Sequence, residues 1–161
     1  ANHQSFLDVF AVYGWLPNNF KWLMKKEIRR VPFVGTACAV AGHIFVDRSN
    51  PRAALQSMEK VKKELVDGIS TVIFPEGTRT KTGEIGRFKQ GAFKIAMDME
   101  LPVVPITLNG FYKAMPSGKP FANPFSHLSL HIGKPIDISQ FTDINDAMLH
   151  VREKVEHGIV K

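Results

Sequence analysis

Apolar positions in this chain fall into short blocks whose spacing changes between helical and strand-like. Phe6, Val9, Phe10 and Tyr13 recur at helical intervals and end near Gly14, which predicts an amphipathic helix with those side chains inward. Ser5 and Asp8 resemble a capping box, with Ser5 as N-cap and Asp8 at the third helical position. Residues 20–24 read as a short strand, residues 26–41 as a helix, and residues 42–48 as a buried strand with polar residues at its far end. Asn50-Pro51 opens a further helix, with Leu55, Met58, Val61, Leu65 and Val66 inward and Gly68 as its stop. Residues 70–74 form the next strand and residues 75–86 a loop rich in glycine, threonine and charge. A helix over 88–99 turns Phe88, Ala92, Ile95, Ala96 and Met99 inward. A strand over 103–108 carries Pro105, which cannot donate to a ladder and so implies an edge or a bulge. Residues 126–132 give a late strand and residues 143–157 a last amphipathic helix. Strands alternating with helices predict an α/β fold with a mostly parallel mixed sheet flanked by helices.

Length and composition narrow the picture. With 161 residues and 44% apolar content the chain holds one domain with a real core, expected to span residues 1–161. Charged residues are 22% and no repeat occurs, which excludes a disordered chain. The single cysteine, Cys38, allows no internal disulfide and no zinc-ligand spacing, and its apolar surroundings predict a buried small side chain. A net charge of +6 favours acidic partners: nucleic acid, anionic lipid, phosphorylated small molecules or an acidic protein. Lys21, Lys25, Lys26, Arg29 and Arg30 crowd one stretch against Glu27, as a solvated face or as a contact for an anionic membrane or acidic carrier. The basic residues lack the interleaved aromatics of a single-strand nucleic-acid platform, so no nucleic-acid partner is expected. No uninterrupted apolar run reaches about 18 residues, so no membrane-spanning helix is expected, nor is a signal peptide. The chain starts abruptly at its first motif, and a natural N-terminal segment before Ala1 is expected. His43 reads as a core residue. His127 and His131 share a strand face without a third ligand, so no metal is expected.

The candidate chemistry begins at His3 and Asp8. Near neutral pH a histidine can take a proton from a hydroxyl, its ordinary pKa being about 6.5. A carboxylate behind it selects the tautomer and stabilises the imidazolium. Residues five apart on one helix are rotated by about 140°, so His3 must precede the helix and fold back over its N-terminus to meet Asp8. Three more blocks combine apolar support with polar residues: 42–48, 74–79 and 104–107. Strand carboxyl ends are where open α/β sheets gather ligands.

These blocks resemble the four motifs of the glycerolipid acyltransferase superfamily, and most of all those of the 1-acyl-glycerol-3-phosphate acyltransferases. Asn2, His3 and Asp8 match the Asn-His-x4-Asp motif. Gly42 to Arg48 matches an apolar strand ending in a basic residue. Phe74-Pro75-Glu76-Gly77-Thr78-Arg79 matches the third motif in full, followed by Phe88-Lys89-Gln90-Gly91-Ala92-Phe93, and Val104-Pro105 matches the fourth. The resemblance spans Asn2 to about Leu108. It implies acyl transfer from a thioester co-substrate, acyl-coenzyme A or acyl carrier protein, to the hydroxyl of a lysophosphatidate-like lysophospholipid, with no cofactor. His3 would be the general base, an effect of roughly 10²–10⁴-fold, with Asp8 orienting it. Arg79 and Arg48 would bind the acceptor's phosphate with bidentate bonds. Gly77 would admit the anion to the backbone, Thr78 would donate its hydroxyl, and Lys89 would add a charge at a helix start. Glu76 would orient Arg79 or bind the acceptor's hydroxyl. The resemblance further implies a membrane-associated enzyme with its active site on the cytoplasmic side. In that setting Phe111, Phe121 and Phe125 are packing residues, an acyl-chain wall or a membrane-touching loop. Other acceptors (glycerol-3-phosphate or another lysolipid), a lipid-binding module without turnover, and a thioesterase are the alternatives.

Overall fold

The parallel strands and the antiparallel strands of this protein lie in different sheets. The computed structural model describes residues 1–17, 19–47, 51–65, 69–119 and 121–160, and within 51–65 the side chains of Ala53, Gln56, Ser57, Glu59, Val61, Lys62, Lys63 and Leu65. Two compact units form. One is Pro17–Ile73, and the other joins Ala1–Leu16 to Phe74–Lys161.

In the Pro17–Ile73 unit, helix α2 (Val34–Val40) precedes strand β2 (Ile44–Val46) and helix α3 (Pro51–Leu65) precedes strand β3 (Ser70–Val72). Strand β1 (Phe20–Lys25) lies between β2 and β3 and is parallel to both, with Leu23 opposite Ile44 and Trp22 opposite Val72. Helical crossovers are what parallel pairing requires. Trp22, Leu23, Ile44, Val46, Val61 and Val72 are buried.

The expected helix over 26–41 is broken in two: a 3-10 turn, Lys26–Arg30, and then α2. Pro32 is the cause. It lacks an N–H and disfavours helical geometry at Val31, whose ψ is 121°. Phe33 then adopts a φ of +62°. Gly35 lets α2 start against the turn, since a Cβ there would collide with the Arg29 carbonyl oxygen. Cys38 is half-buried rather than buried. In α3 Val61 is fully buried, whereas the side chains of Leu55 and Met58, and Val66 and Gly68 altogether, lie outside the described residues.

His43 is buried as expected and accepts a bond from the Trp22 N–H at 3.3 Å. Burial, and secondarily the Lys21 charge, hold its pKa below the ordinary 6.5. The unfolded chain therefore binds the proton more readily. The stability from neutral His43 is complete above about pH 6.5 and is lost as pH falls towards the lower folded value. Urea titrations across this range should show a steeper acid-side loss of unfolding free energy for the parent than for His43→Gln.

The second unit contains helix α1 (Leu7–Trp15), helix α4 (Gln90–Asp98), strand β4 (Ile106–Asn109), the short helix α5 (Phe111–Ala114), strand β5 (Ser129–Ile132) and helix α6 (Ile144–His157). Strands β4 and β5 pair antiparallel, from Ile106 opposite Ile132 to Asn109 opposite Ser129. Pro105 interrupts the expected strand: Val103 bridges to Ile136, the Gly133 N–H bonds the Pro105 carbonyl at 2.8 Å, and the continuous ladder starts at Ile106. Phe88, Phe93 and Ala96 pack with Ile136, Ile138, Ala147, Val151 and Val155. A second cluster centres on Ala11, Leu108 and Phe111. The Thr107 hydroxyl donates to the Val155 carbonyl at 2.8 Å and ties the end of α6 to β4. The α/β class expected from the sequence is what the chain adopts.

Helix α1 departs from its expected orientation. Its buried residues are Asp8, Ala11 and Val12, whereas Phe6, Phe10 and Tyr13 are 53%, 59% and 50% exposed. The buried Asp8 carboxylate sets this rotation, and Ala11 and Val12, three and four residues on, share its face. The cap also differs. The helix begins at Leu7, whose N–H reaches the Ser5 hydroxyl at 3.2 Å, while the Asp8 carboxylate reaches back to the Ser5 N–H at 2.9 Å.

Candidate active site

The site is assembled from the first eight residues, the 74–87 segment and β4, all in the same unit. Asn2 is 1% exposed and its carboxamide replaces a strand partner. Its Nδ2 donates to the Leu108 carbonyl at 3.0 Å and its Oδ1 accepts from the Leu108 N–H at 2.7 Å. His3 is thereby held beside the middle of β4. Its own N–H donates to Glu76 Oε1 at 2.8 Å, and its carbonyl accepts from the Thr80 N–H at 2.8 Å. The imidazole stacks on Phe74 with centroids 3.9 Å apart and 6° between planes.

His3 Nδ1 lies 2.8 Å from Asp8 Oδ2. The same oxygen accepts the N–H groups of Gln4 at 2.6 Å and Ser5 at 2.9 Å. The Asp8 side chain has no exposure, whereas that of His3 is 18% exposed. The fold-back that the five-residue spacing demanded is therefore realised. Facing the carboxylate through Nδ1 favours the tautomer protonated there and leaves the Nε2 lone pair for chemistry. The Ser5 hydroxyl is turned away, donating to the Met115 carbonyl at 2.8 Å.

Phe74-Pro75-Glu76-Gly77 is a β-turn closed by the Gly77 N–H to the Phe74 carbonyl at 3.0 Å, with proline second and glycine fourth, the positions each prefers. Gly77 has a φ of +74°, which disfavours a side chain there. The turn sends Glu76 inward, to 6% exposure. Its second oxygen, Oε2, accepts the Gly86 N–H at 2.8 Å, so both carboxylate oxygens bind backbone. Glu76 is thus a strut between the His3 backbone and the far end of the loop. Gly86 is needed for this approach, because a Cβ there would sit 2.8 Å from Glu76 Oε2. Tyr112 supports the loop from outside: its hydroxyl donates to the Lys81 carbonyl at 2.8 Å, and its ring would meet a Cβ on Gly83 at 2.9 Å.

An open cleft of about 330 Å³ runs along this loop, lined among others by Thr78, Arg79, Lys81, Glu84 and Arg87. Arg79 and Thr78 are exposed and line it. Glu76 and Thr80 also line it, and these two residues bond the His3 backbone. Lys89 is exposed at the start of α4, outside the cleft lining, and its N–H bonds the Pro75 carbonyl at 2.9 Å. Arg48 lies outside the described residues. Among the described residues no cluster of histidine, cysteine and carboxylate residues suits a metal ion. Sequence reasoning missed the strand-mimicking role of Asn2, the strut role of Glu76 and the close approach at Gly86. Only the glycine-rich composition of the loop hinted at the last.

The site thus belongs to an α/β protein in which a histidine–carboxylate pair lies beside a cleft bearing Arg79, Lys81 and Arg87. A family model described as Acyltransferase matches residues 1–109 of the 161, and the chain belongs to that family. It is 36% identical over 157 residues to the chloroplastic 1-acyl-sn-glycerol-3-phosphate acyltransferase LPAT1 of Arabidopsis thaliana, covering 97% of this chain and 44% of that protein. It is 40% identical over 108 residues to the 1-acyl-sn-glycerol-3-phosphate acyltransferase of Helicobacter pylori, covering 66% and 46%. The crystal structure of the 1-acyl-sn-glycerophosphate acyltransferase PlsC of Thermotoga maritima superposes with a TM-score of 0.79 at 26% identity, over 98% of this chain and 62% of that one. The chain spans less than half the length of these two curated relatives.

Proposed function

We propose that this chain carries the catalytic centre of a 1-acyl-glycerol-3-phosphate acyltransferase, which moves an acyl group from a thioester to the free hydroxyl of lysophosphatidate at a membrane surface. The thioester is acyl-coenzyme A or acyl carrier protein. The observation that carries the reading is His3 Nδ1 at 2.8 Å from the buried Asp8 carboxylate, which leaves Nε2 as the base. Family membership and the names of the relatives support the substrate class.

As the acceptor oxygen attacks the thioester carbonyl, His3 Nε2 takes the hydroxyl proton, and the negative charge of Asp8 offsets that of the imidazolium. Collapse of the tetrahedral adduct breaks the carbon–sulfur bond, and the departing thiolate receives the proton back from His3. Protons balance, and no serine or cysteine nucleophile is required. Arg79 binds the acceptor's phosphate as a planar fork, with the Thr78 hydroxyl beside it and Lys81 and Arg87 adding charge to the same cleft. Lys89, exposed at the head of α4 in the same unit, is a further phosphate ligand in this reading. Glu76 acts from behind, by holding the His3 backbone.

The test is thiol release from acyl-coenzyme A against acceptors with and without a phosphate. Release matched one for one by phosphatidate, and only with the phosphorylated acceptor, is the expected result. Free fatty acid formed regardless of acceptor would make the protein a thioesterase, and no thiol release would leave a binding module. Arg79→Ala should raise the acceptor's KM by about tenfold to a hundredfold and the donor's far less, which paired KM measurements check. Equal changes in both would remove Arg79 from phosphate recognition.

A further inference from the structure

We propose that the described residues 115–119 and 121–127, between α5 and β5, dock on an anionic lipid surface through Phe121 and Phe125. This inference rests on the acyltransferase reading, since it concerns how the same site meets a substrate that resides in membranes. Phe121 is 85% and Phe125 94% exposed. A phenylalanine left in water forgoes most of the gain from burial, and a pair on one loop marks an interaction surface.

Hydrogen bonds shape the described parts of the loop. The Asn123 N–H bonds the Ala114 carbonyl at 2.7 Å, the Lys119 N–H bonds the Pro116 carbonyl at 3.1 Å, and the Asn123 side chain holds the Phe125 N–H at 3.1 Å. Charge identifies the occupant. From Leu101 to Ile136 the sequence contains no aspartate or glutamate, but it contains Lys113 before the loop and Lys119 within it, both exposed. Exposed aromatic rings on a segment that carries lysines and no acid of its own match a negatively charged membrane interface.

The root of the loop is tied to the catalytic segment. The Met115 carbonyl accepts the Ser5 hydroxyl at 2.8 Å, and the Tyr112 N–H bonds the Gln4 side chain at 3.3 Å, Ser5 and Gln4 lying two and one residues past His3 along the chain. Docking by this loop would therefore bring the catalytic dyad to the headgroup region, where a lysophospholipid presents its hydroxyl.

Sedimentation of the full chain with vesicles tests this. One set is phosphatidylglycerol and phosphatidylethanolamine in equal parts, and the other is phosphatidylcholine alone. The paired substitution Phe121→Ser with Phe125→Ser is expected to weaken binding to the anionic vesicles by about tenfold or more. Lys119→Gln should weaken it by about fivefold on anionic vesicles only. Thiol release with a short-chain, monomeric lysophosphatidate should be unchanged in both variants, and far-UV circular dichroism should match the parent. Undiminished vesicle binding by the paired variant would overturn the proposal, as would no binding by the parent. Loss of turnover on the monomeric acceptor would overturn it in favour of an acyl-chain wall. Intact vesicle binding with turnover lost only when acyl carrier protein is the donor would place a protein there instead. If neither parent nor variant releases thiol, the acyltransferase reading fails while the vesicle data still judge the loop.

Discussion

His3→Ala should reduce acyl transfer by roughly 10²–10⁴-fold, with the acceptor and donor KM values little changed and the fold intact. In the proposed reaction the imidazole acts only as the hydroxyl loses its proton, so its removal raises the barrier without removing a ground-state contact to substrate. The fold should survive because the backbone of residue 3 makes the structural bonds, to Glu76 and Thr80, and alanine keeps both. Asp8→Asn gives a contrasting result. Three donors converge on Asp8 Oδ2, the His3 ring nitrogen and two backbone N–H groups, within a fully buried side chain. An amide must either keep its oxygen there without the charge or place an NH₂ against the backbone donors. Both turnover and thermal stability should fall in Asp8→Asn, whereas His3→Ala, which leaves the two backbone donors on the carboxylate, should lose turnover with a smaller drop in melting temperature. Steady-state kinetics with thermal melts on the two variants separate the roles. Retained turnover in His3→Ala would remove the histidine from the mechanism.

Glu76→Gln should come next in size, although Glu76 need not touch the substrate. Its two oxygens accept N–H groups from His3 and Gly86, at 2.8 Å each. Glutamine has a single acceptor oxygen, so one of these donors is left facing an NH₂ group. An unsatisfied buried donor costs about 1–3 kcal/mol, and a displacement of about 1 Å at a catalytic group can cost about 10²-fold in rate. The expected pattern is a kcat lower by about 10²-fold, acceptor KM changed by much less, and a lower melting temperature. A Glu76→Asp variant, which keeps the charge but withdraws the carboxylate, should recover little. A rise in acceptor KM with kcat intact would instead show that Glu76 binds the acceptor, as the motif alone suggested.

Much of the fold was legible because its cues are local. Helix α6 begins where Asp143 caps it, the Asn145 N–H lying 2.6 Å from the side chain, and the β-turn at Phe74-Pro75-Glu76-Gly77 follows its proline and glycine. Pro105 interrupted its strand as a residue without a donor must. The break at Pro32 carried the same kind of cue, yet the apolar pattern on either side read as one helix.

The sequence by itself determined which candidate groups are at hand: a histidine with an aspartate five residues on, an arginine two residues past a turn, and the requirement that the histidine fold back before its helix. The tertiary structure alone decided which face of α1 is buried, because the Asp8 carboxylate serves three donors at once and turns Phe6, Phe10 and Tyr13 outward against their apolar periodicity. It alone decided that Asn2 completes β4 and that Glu76 braces His3. Those roles depend on atoms contributed by residues 73 to 106 positions away, and no local pattern of hydrophobicity encodes a contact between such distant parts of the chain.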